Sequence, residues 1–302
     1  MRRSLQTSSK APLIIGTLHS AACLKALQKD SRVFEQQRGN QPTSENREAS
    51  TNLRSASRIF PADLLEVRLD SLPATLLDFF ENSTSGANCG VASVLASSSM
   101  NYTLSRCAPE APGTSSPEAS FERSLLPKTW PLPVIATARH PAEGGQGNLT
   151  ITARRRLLEE ALPWAAAIDV ELRSAKQLAS TIARAHQAGT LVICSFHDFK
   201  TVPSLARLEE SVLRAEDLGA DLFKVAGMLH GMEELLRLVT FQSGTRSSLP
   251  IASMGMGRGG KLSRVLLAAY GSALSYGWLY KPQVSGQWSA SELHSIFQKH
   301  SL

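Results

Sequence analysis

The chain has 302 residues, of which 42% are hydrophobic and 6% aromatic, and its formal net charge is +6. This length suits one large α/β core, and no apolar run reaches the roughly 18 residues that a membrane-spanning helix needs. Basic residues are spread along the chain, which argues against a nucleic-acid-binding protein. A basic excess equally suits a small anionic substrate.

Short apolar segments with strand character alternate with helix-like segments. We predict strands at 13–18, 64–70, 133–139, 167–172, 191–196, 222–228, 250–256 and 273–279. A spacing of apolar residues near 3.6, with Ser, Pro or Gly at the ends, predicts helices at 174–189, 202–218, 230–241, 262–270 and 290–299. This alternation predicts a (β/α)8 TIM barrel. A doubly wound open sheet is the alternative, although the glycine-rich turn that usually follows its first strand is missing.

Two polar regions interrupt the alternation. Residues 28–59 are polar and charged, and residues 82–126 are rich in Ser, Ala, Gly and Pro. We interpret both as low-complexity, partly disordered surface insertions in the early βα units. The predicted organisation is a flexible N-terminus over residues 1–10 and a single catalytic domain over residues 11–302.

The cysteines and the N-terminus bear on location. Cys23, Cys89, Cys107 and Cys194 have no metal-ligand spacing. Cys89 and Cys107 lie in a predicted loop and could pair, but the reduced state is favoured. Because no apolar signal-peptide core precedes the first predicted strand, we expect a cytoplasmic protein.

The most informative feature is a histidine and a lysine on successive predicted strands. His197 follows the segment 191–196, and Lys224 lies within 222–228. A helical segment joins the strands, so they should be parallel and adjacent. Burial in an apolar strand lowers the pKa of a lysine, a free amine attacks carbonyls to form a Schiff base, and a histidine transfers protons near neutral pH. The pair predicts imine chemistry; an ion pair of Lys224 with Asp169 or Glu171 is the structural alternative.

Other charged residues lie near the ends of predicted strands, where barrel enzymes have their active sites. Residues two apart share one face of a strand. Glu66, Arg68 and Asp70 should therefore share one face of the second strand, and Asp169 and Glu171 one face of the fourth. The alternative explanation is that these residues form salt bridges that close the barrel core. For Asp169 and Glu171 we give the two explanations about equal weight.

Taken in order, these segments resemble type I 3-dehydroquinate dehydratase (3-dehydroquinase). The matching motifs are LEVRLD at 65–70, TAR at 137–139 with EGG at 143–145, IDVE at 168–171, SFHDF at 195–199, FKVA at 223–226, SMGM at 253–256, SR at 263–264 and GQ at 286–287. They cover the chain from about residue 12 to its C-terminus, apart from the two insertions. The resemblance implies a (β/α)8 barrel of the shikimate pathway, commonly a homodimer. It also implies dehydration of 3-dehydroquinate to 3-dehydroshikimate through a lysine Schiff base, without metal or organic cofactor.

The resemblance further implies individual roles. Lys224 forms the imine with the C3 ketone, and His197 removes the C2 proton and later protonates the departing C1 hydroxyl. Glu143 orients His197, and Arg264 binds the substrate carboxylate. Substrate-binding or supporting roles fall to the remaining matched residues: Glu66, Arg68, Arg139, Asp169, Glu171, Met256 and Gln287.

One departure lies on the loop expected to close over the substrate. Gln283 takes the position where the family usually has a serine, and Ser285 lies two residues later. We therefore expect the hydrogen bonds that Gln283, Ser285 and Gln287 make to the substrate to differ from the usual pattern. Two other functions stay open: another Schiff-base lyase such as an aldolase, and an inactive barrel that acts as a binding protein.

Overall fold

The computed structural model describes residues 12–20, 22–27, 29–30, 61–72, 130–283 and 286–302. The strands are β1 (Leu13–Leu18), β2 (Leu64–Arg68), β3 (Val134–Thr137), β4 (Ala167–Glu171), β5 (Leu191–Asp198), β6 (Leu222–Met228), β7 (Ile251–Met256) and β8 (Leu274–Trp278). The helices are α1 (Ile151–Ala161), α2 (Leu172–Ala175), α3 (Ala179–Gln187), α4 (Leu205–Asp217), α5 (Met232–Gly244), α6 (Gly260–Ala269) and α7 (Ala290–His300). Residues 22–27 and 29–30 are also helical. The predicted insertions, except for residues 29–30, and the predicted flexible N-terminus lie outside the described residues.

The eight strands form one parallel sheet in the order β7-β6-β5-β4-β3-β2-β1-β8. The first strand pairs with the last, in a register that joins Ile15 to Tyr276. The remaining edges, β7 and β8, meet where the Ala273 N–H donates to the Ile251 carbonyl at 2.8 Å. The prediction of a (β/α)8 barrel is confirmed, and the doubly wound alternative is wrong because β1 pairs with β8.

Most predicted element boundaries differ slightly from the observed ones, and two of the differences bear on the site. β5 continues to Asp198, so His197 lies within the strand rather than after it. The predicted helix at 174–189 is two helices, α2 and α3, and its predicted cap Ser174 lies inside α2. The Ser174 hydroxyl accepts a hydrogen bond from the buried side chain of Arg154 instead.

Capping residues explain where several helices begin and end. The side chains of Thr150, Ser204 and Ser289 accept hydrogen bonds from backbone N–H groups in the first turns of α1, α4 and α7. Gly189 and Gly219 follow α3 and α4 with φ of 74° and 78°, a left-handed conformation that glycine adopts without steric cost. Gly189 is the last residue of the predicted helix 174–189, and Gly219 directly follows the predicted helix 202–218.

Side chains from alternate strands fill the barrel interior in layers. Two apolar layers, here called the lower layers, lie in one buried cluster: Leu64, Ala167, Leu222 and Leu274 from the even strands, and Ile15, Ile135, Ile193 and Ala252 from the odd strands. The third residues of the even strands are Glu66, Asp169, Lys224 and Tyr276. We call these four the polar layer.

The outward faces of the strands pack against the helices in a second, larger buried cluster. Cys23 and Cys194 belong to it as free thiols. Burial raises the pKa of the Cys194 thiol above its ordinary value, and the nearby charge of Asp169 adds to the rise. Cys194 thus packs as a small apolar residue; Cys89 and Cys107 lie outside the described residues.

Candidate active site

The amine of Lys224 is the centre of the polar layer. Its Nζ atom lies 2.7 Å from Asp169 Oδ2 and 3.8 Å from Glu66 Oε1. The centroid of the Tyr276 ring lies 4.4 Å from the same nitrogen. All four residues are buried. The amine therefore faces two carboxylates and an aromatic ring, rather than the wholly apolar surroundings that the sequence suggested.

Of the two carboxylates considered as structural partners for Lys224, the structure pairs it with Asp169. Glu171 is used elsewhere: its Oε1 accepts from Arg139 Nη1 at 3.1 Å and from the His140 N–H at 2.8 Å. An ion pair of this kind neutralises a buried ammonium. It equally neutralises any other cation formed at the same nitrogen.

Arg139 holds the carboxylates of β4 in place. Its guanidinium binds Asp169 through two hydrogen bonds of 2.8 and 2.9 Å and donates to Ser195 Oγ at 2.7 Å. Burial by itself would raise the pKa of Asp169, but the positive charges of Arg139 and Lys224 outweigh it and hold that pKa well below its usual range. Asp169 is therefore a fixed negative charge beside the amine.

A second arginine, Arg154, extends this network to helix α1. It is fully buried and donates to the Ala138 carbonyl at 2.8 Å, to Ser174 Oγ at 2.9 Å, and to Glu171 Oε2. The sequence motifs assigned no role to Arg154. The available signal was its helical spacing, since it shares the buried face of α1 with Leu157, Leu158 and Ala161.

His197 lies on the strand next to Lys224, one inward-facing position nearer the barrel mouth. The register pairs Lys224 with Ser195 and His197 with Ala226. His197 Nδ1 lies 2.9 Å from Glu143 Oε2, and the same oxygen accepts the His197 backbone N–H at 3.0 Å. These two contacts fix the ring. Its Nε2 atom has no hydrogen-bond partner in the described part of the chain.

The protonation of this pair is set mainly by burial. Burial, with the charges of Arg139 and Lys224, lowers the pKa of His197 well below its ordinary value, so the imidazole is neutral at physiological pH. Burial and the negative charge of Glu171 raise the pKa of Glu143 to about 7. His197 is therefore a neutral ring that can accept a proton, beside a carboxyl group that changes its charge near neutral pH.

The turn that carries Glu143 is tied to the end of β2. Arg68 donates to both oxygens of Asp70, at 2.9 and 2.8 Å, and to the Gly144 carbonyl at 3.1 Å. Asp70 also accepts the backbone N–H groups of Arg139 and Gln146. The prediction that Asp70 continues the face of β2 is wrong, because the strand ends at Arg68 and a 3-10 turn, Leu69–Ser71, redirects the chain.

Glu66 lies on the inward face of β2 and connects two parts of the network. Its Oε1 atom accepts from Thr137 Oγ1 at 3.0 Å and lies 3.7 Å from Arg139 and 3.8 Å from Lys224. It therefore lies beside the amine as well as the arginine. Met256 ends β7 and packs against the inner apolar cluster.

Arg264 lies at the seam between β7 and β8. It donates to the carbonyls of Tyr276 at 2.9 Å, Gly255 at 3.1 Å and Gly260 at 2.8 Å. It is 5% exposed, and burial lowers its pKa to about 10. No carboxylate forms an ion pair with it within the described ranges. A buried guanidinium that contacts only carbonyl dipoles is suited to a bound anion.

The loop after β8 lies beside this arginine. The Gln283 N–H donates to Gln287 Oε1 at 3.4 Å, and Gln287 is 8% exposed. Both residues line a cavity of about 420 Å³ together with Lys261, Trp278, Pro282, Gly286 and Glu292. Ser285, the remaining loop residue with a predicted role, lies outside the described residues.

No group of three or more His, Cys, Asp or Glu side chains among the described residues is arranged to hold a metal ion. No helix among them is long and apolar enough to cross a membrane.

The fold and the site together define a (β/α)8-barrel protein with a buried, charge-compensated lysine beneath a histidine at the carboxyl ends of its strands. A family model described as type I 3-dehydroquinase matches residues 117–301. The chain belongs to the type I 3-dehydroquinase family, as the motifs indicated.

Individual relatives agree. The 3-dehydroquinate dehydratase of Methanococcoides burtonii is 32% identical over 186 residues, which are 61% of this chain and 78% of that protein. The 3-dehydroquinate dehydratase of Bacillus licheniformis is 35% identical over 181 residues, 58% of this chain and 70% of that protein. The match to the catabolic 3-dehydroquinate dehydratase of Acinetobacter baylyi, at 31% identity, spans 55% of this chain and 63% of that one.

Solved structures agree on the fold. The crystal structure of type I 3-dehydroquinate dehydratase from Clostridium difficile has a TM-score of 0.64 and 22% identity, over 97% of this chain and 94% of that chain. The 3-dehydroquinate dehydratase of Geobacillus kaustophilus has a TM-score of 0.64 and 20% identity, over 96% and 93% of the two chains.

Proposed function

We propose that this chain dehydrates 3-dehydroquinate to 3-dehydroshikimate through a Schiff base on Lys224, with His197 as general acid and base. Family membership supports the substrate. The observation that carries the mechanism is the placement of Lys224 Nζ, buried 2.7 Å from Asp169, with His197 on the adjacent strand and the same inward face. We place the reaction in the shikimate pathway, as the family resemblance implies.

The polar layer supports the imine step electrostatically. A lysine imine with the C3 ketone is useful when it is protonated, because the iminium withdraws electrons and acidifies the neighbouring C2–H. Asp169 and Glu66 lie 2.7 and 3.8 Å from Nζ, where they stabilise a positive charge on nitrogen. The iminium keeps the charge of the ammonium that it replaces, so the layer needs no rearrangement during the reaction.

His197 is suited to the two proton transfers. It is neutral, so its free Nε2 can accept the proton from C2. The resulting imidazolium then donates a proton to the C1 hydroxyl, which leaves as water. Glu143, bonded to Nδ1 at 2.9 Å, fixes the ring and stabilises the imidazolium while it is charged.

Recognition of the substrate falls to the residues around this centre. Arg264 is proposed to bind the carboxylate, because it is a buried cation with no ion pair in the described part of the chain. Glu66 and Arg68 are proposed to contact ring hydroxyls. Arg139 is already bonded to Asp169, Glu171 and Ser195, so we assign it mainly to positioning those groups.

Met256 is proposed as an apolar wall for the ring. Gln283, Ser285 and Gln287 are proposed as the loop residues that close over the substrate and exclude water. The Gln283 backbone N–H donates to Gln287 Oε1, which supports the proposed position of the Gln287 side chain on this loop.

Three broader expectations remain proposals. We propose a single catalytic domain over residues 11–302, a homodimer, and a cytoplasmic location. The free thiols of Cys23 and Cys194 support a reducing compartment.

Direct assay of the chain with 3-dehydroquinate tests this proposal. Dehydration conjugates the new double bond with the carboxylate and the ketone, so the product absorbs ultraviolet light that the substrate does not. We expect a steady rise in absorbance that stops in the Lys224→Ala variant. Cleavage of an aldol substrate in its place would favour the aldolase alternative, and binding of 3-dehydroquinate without turnover would favour an inactive binding barrel.

A further inference from the structure

Tyr276 completes the polar layer, and no motif of the sequence points to it. It faces inward from β8, is 5% exposed, and presents its ring to Lys224 Nζ at 4.4 Å from the centroid. The Tyr276 hydroxyl is buried and has no hydrogen-bond partner among the described residues. The three other members of the layer, Glu66, Asp169 and Lys224, all have polar partners.

An unpartnered buried hydroxyl is unfavourable, because the group loses its hydrogen bonds to water and gains none in return. Phenylalanine would fill the same space without that loss. Burial and the negative charges of Glu66 and Asp169 raise the pKa of Tyr276 well above its ordinary value, so the phenol stays neutral and keeps its proton. It is therefore a hydrogen-bond donor beside the amine.

We propose that the Tyr276 hydroxyl donates a hydrogen bond to the carbonyl oxygen of the ketone substrate while Lys224 attacks the carbonyl carbon, and that its ring holds the lysine nitrogen in position. This role rests on the proposed Schiff-base function. The phenolic oxygen lies one ring radius plus one C–O bond from the centroid, which is 4.4 Å from Lys224 Nζ. A substrate oxygen two bonds from Nζ can therefore reach it.

Imine formation begins when the Lys224 ammonium loses one proton. The lone pair of Nζ forms the N–C bond, and the π pair of the carbonyl moves onto oxygen. That oxygen takes two protons released from nitrogen, the C–O bond breaks, and water leaves as the N=C bond forms. Ammonium and ketone thus give iminium and water with the charge unchanged. Tyr276 stabilises the oxygen while negative charge grows on it and gives up no proton.

The test compares Tyr276→Phe, which removes only the hydroxyl, with Tyr276→Leu, which also removes the ring. Ser275→Ala is the matched control, because Ser275 is the preceding residue of β8 and also has a buried hydroxyl without a partner in the described residues, but belongs to the alternate, outward face. Rapid mixing with 3-dehydroquinate and quenching with borohydride gives the initial rate of adduct formation. Thermal unfolding of each variant gives its stability.

We expect Tyr276→Phe to form the adduct about tenfold more slowly while its melting temperature stays equal or rises. Tyr276→Leu should be slower still, and Ser275→Ala should match the parent chain. Adduct formation at the parent rate in Tyr276→Phe would overturn the role of the hydroxyl, whatever the leucine variant does. A parent chain that forms no adduct would overturn the proposed function itself, and this role with it.

Discussion

The lower layers and the polar layer come from the same strands and point into the same barrel, yet they contain opposite chemistry. Leu222 and Lys224 are two residues apart on β6; the first packs among Leu and Ile side chains, and the second lies between carboxylates. The lower layers have only apolar burial to contribute, which favours folding. The polar layer and the network above it bury charges, which is costly unless each charge is paired. The comparison indicates that the lower layers stabilise the fold, whereas the polar layer and the network above it carry out the chemistry.

The largest expected effect comes from the centre of the polar layer. Lys224→Met removes the amine but keeps most of the volume, and Asp169 retains its two hydrogen bonds to Arg139. We expect kcat to fall by at least about 10⁴-fold with no loss of stability, measured by product absorbance and by denaturant unfolding. Substantial unfolding of this variant would contradict the proposal that the polar layer serves chemistry rather than stability.

The next largest effect is expected at His197. His197→Ala removes the proton-transfer group and should lower kcat by about 10²–10⁴-fold. Borohydride should still trap some adduct on Lys224, because the nucleophile is intact. His186, which is exposed and pairs with Asp221, provides the control: His186→Ala should leave kcat unchanged. A normal kcat in His197→Ala would refute the assigned role.

Arg154 should affect stability, because it pairs with the buried carboxylate of Glu171. Arg154→Ala removes the cation that binds Glu171 Oε2 and leaves Arg139 as the remaining partner of this buried carboxylate, so the free energy of unfolding should fall by about 3–5 kcal/mol. Arg207→Ala on α4 breaks an exposed pair with Glu210 and should cost about 0.5 kcal/mol or less. Denaturant unfolding compares the two, and equal losses would contradict the burial argument.

A substitution in the lower layers should lower stability and leave kcat almost unchanged, the reverse of the result expected for Lys224→Met. Leu222→Ala should destabilise the chain by about 2–5 kcal/mol through lost burial and a cavity. The kcat of the remaining folded molecules should change little, because the amine lies in the layer above. Leu213→Ala on α4 is the control: its side chain is mostly exposed and should contribute almost nothing. A selective loss of kcat in Leu222→Ala, at full stability, would show that the layers are not separate in function.

The smallest effect expected is a change in pH dependence at Glu143. Its pKa is raised to about 7, so below that pH the carboxyl is protonated and holds the His197 Nδ1–H less well. The profile of kcat/KM should therefore fall as the pH drops below about 7. The side chain of Glu143→Gln does not ionise, so its kcat/KM should not fall at low pH in this way. Its highest kcat/KM should be lower than that of the parent chain. An unchanged fall at low pH would assign the ionisation to another group.

Sequence reasoning reached the barrel and most of the site for a definite reason. Parallel strands of a barrel have short apolar segments, and each polar residue that interrupts one, such as Glu66, Asp169 or Lys224, stands out. Because the carboxyl ends of these strands converge, residues far apart in the chain could be assigned to one site. His197 was found in the same way, whereas the role of Glu143 came from the family resemblance; the structure brings the two side chains to 2.9 Å.

The sequence did not show which charged side chains pair with each other. It also did not show that an aromatic residue belongs to the site. Nothing local distinguishes Asp169 from Glu171 as the partner of Lys224, because the choice depends on how Arg139 and Arg154 divide the two carboxylates between them. Tyr276 was missed because an aromatic residue in a strand is ordinarily core. Counting positions along the even strands would have placed it in the layer of Lys224.

The central claim is that the amine of Lys224 forms a covalent imine. Incubation with 3-dehydroquinate, reduction with borohydride and mass spectrometry of the peptides tests it most directly. The account predicts a reduced substrate adduct on Lys224 in the parent chain and none in Lys224→Met. A folded parent chain that turns over the substrate but shows no adduct, or an adduct on another lysine, would contradict it.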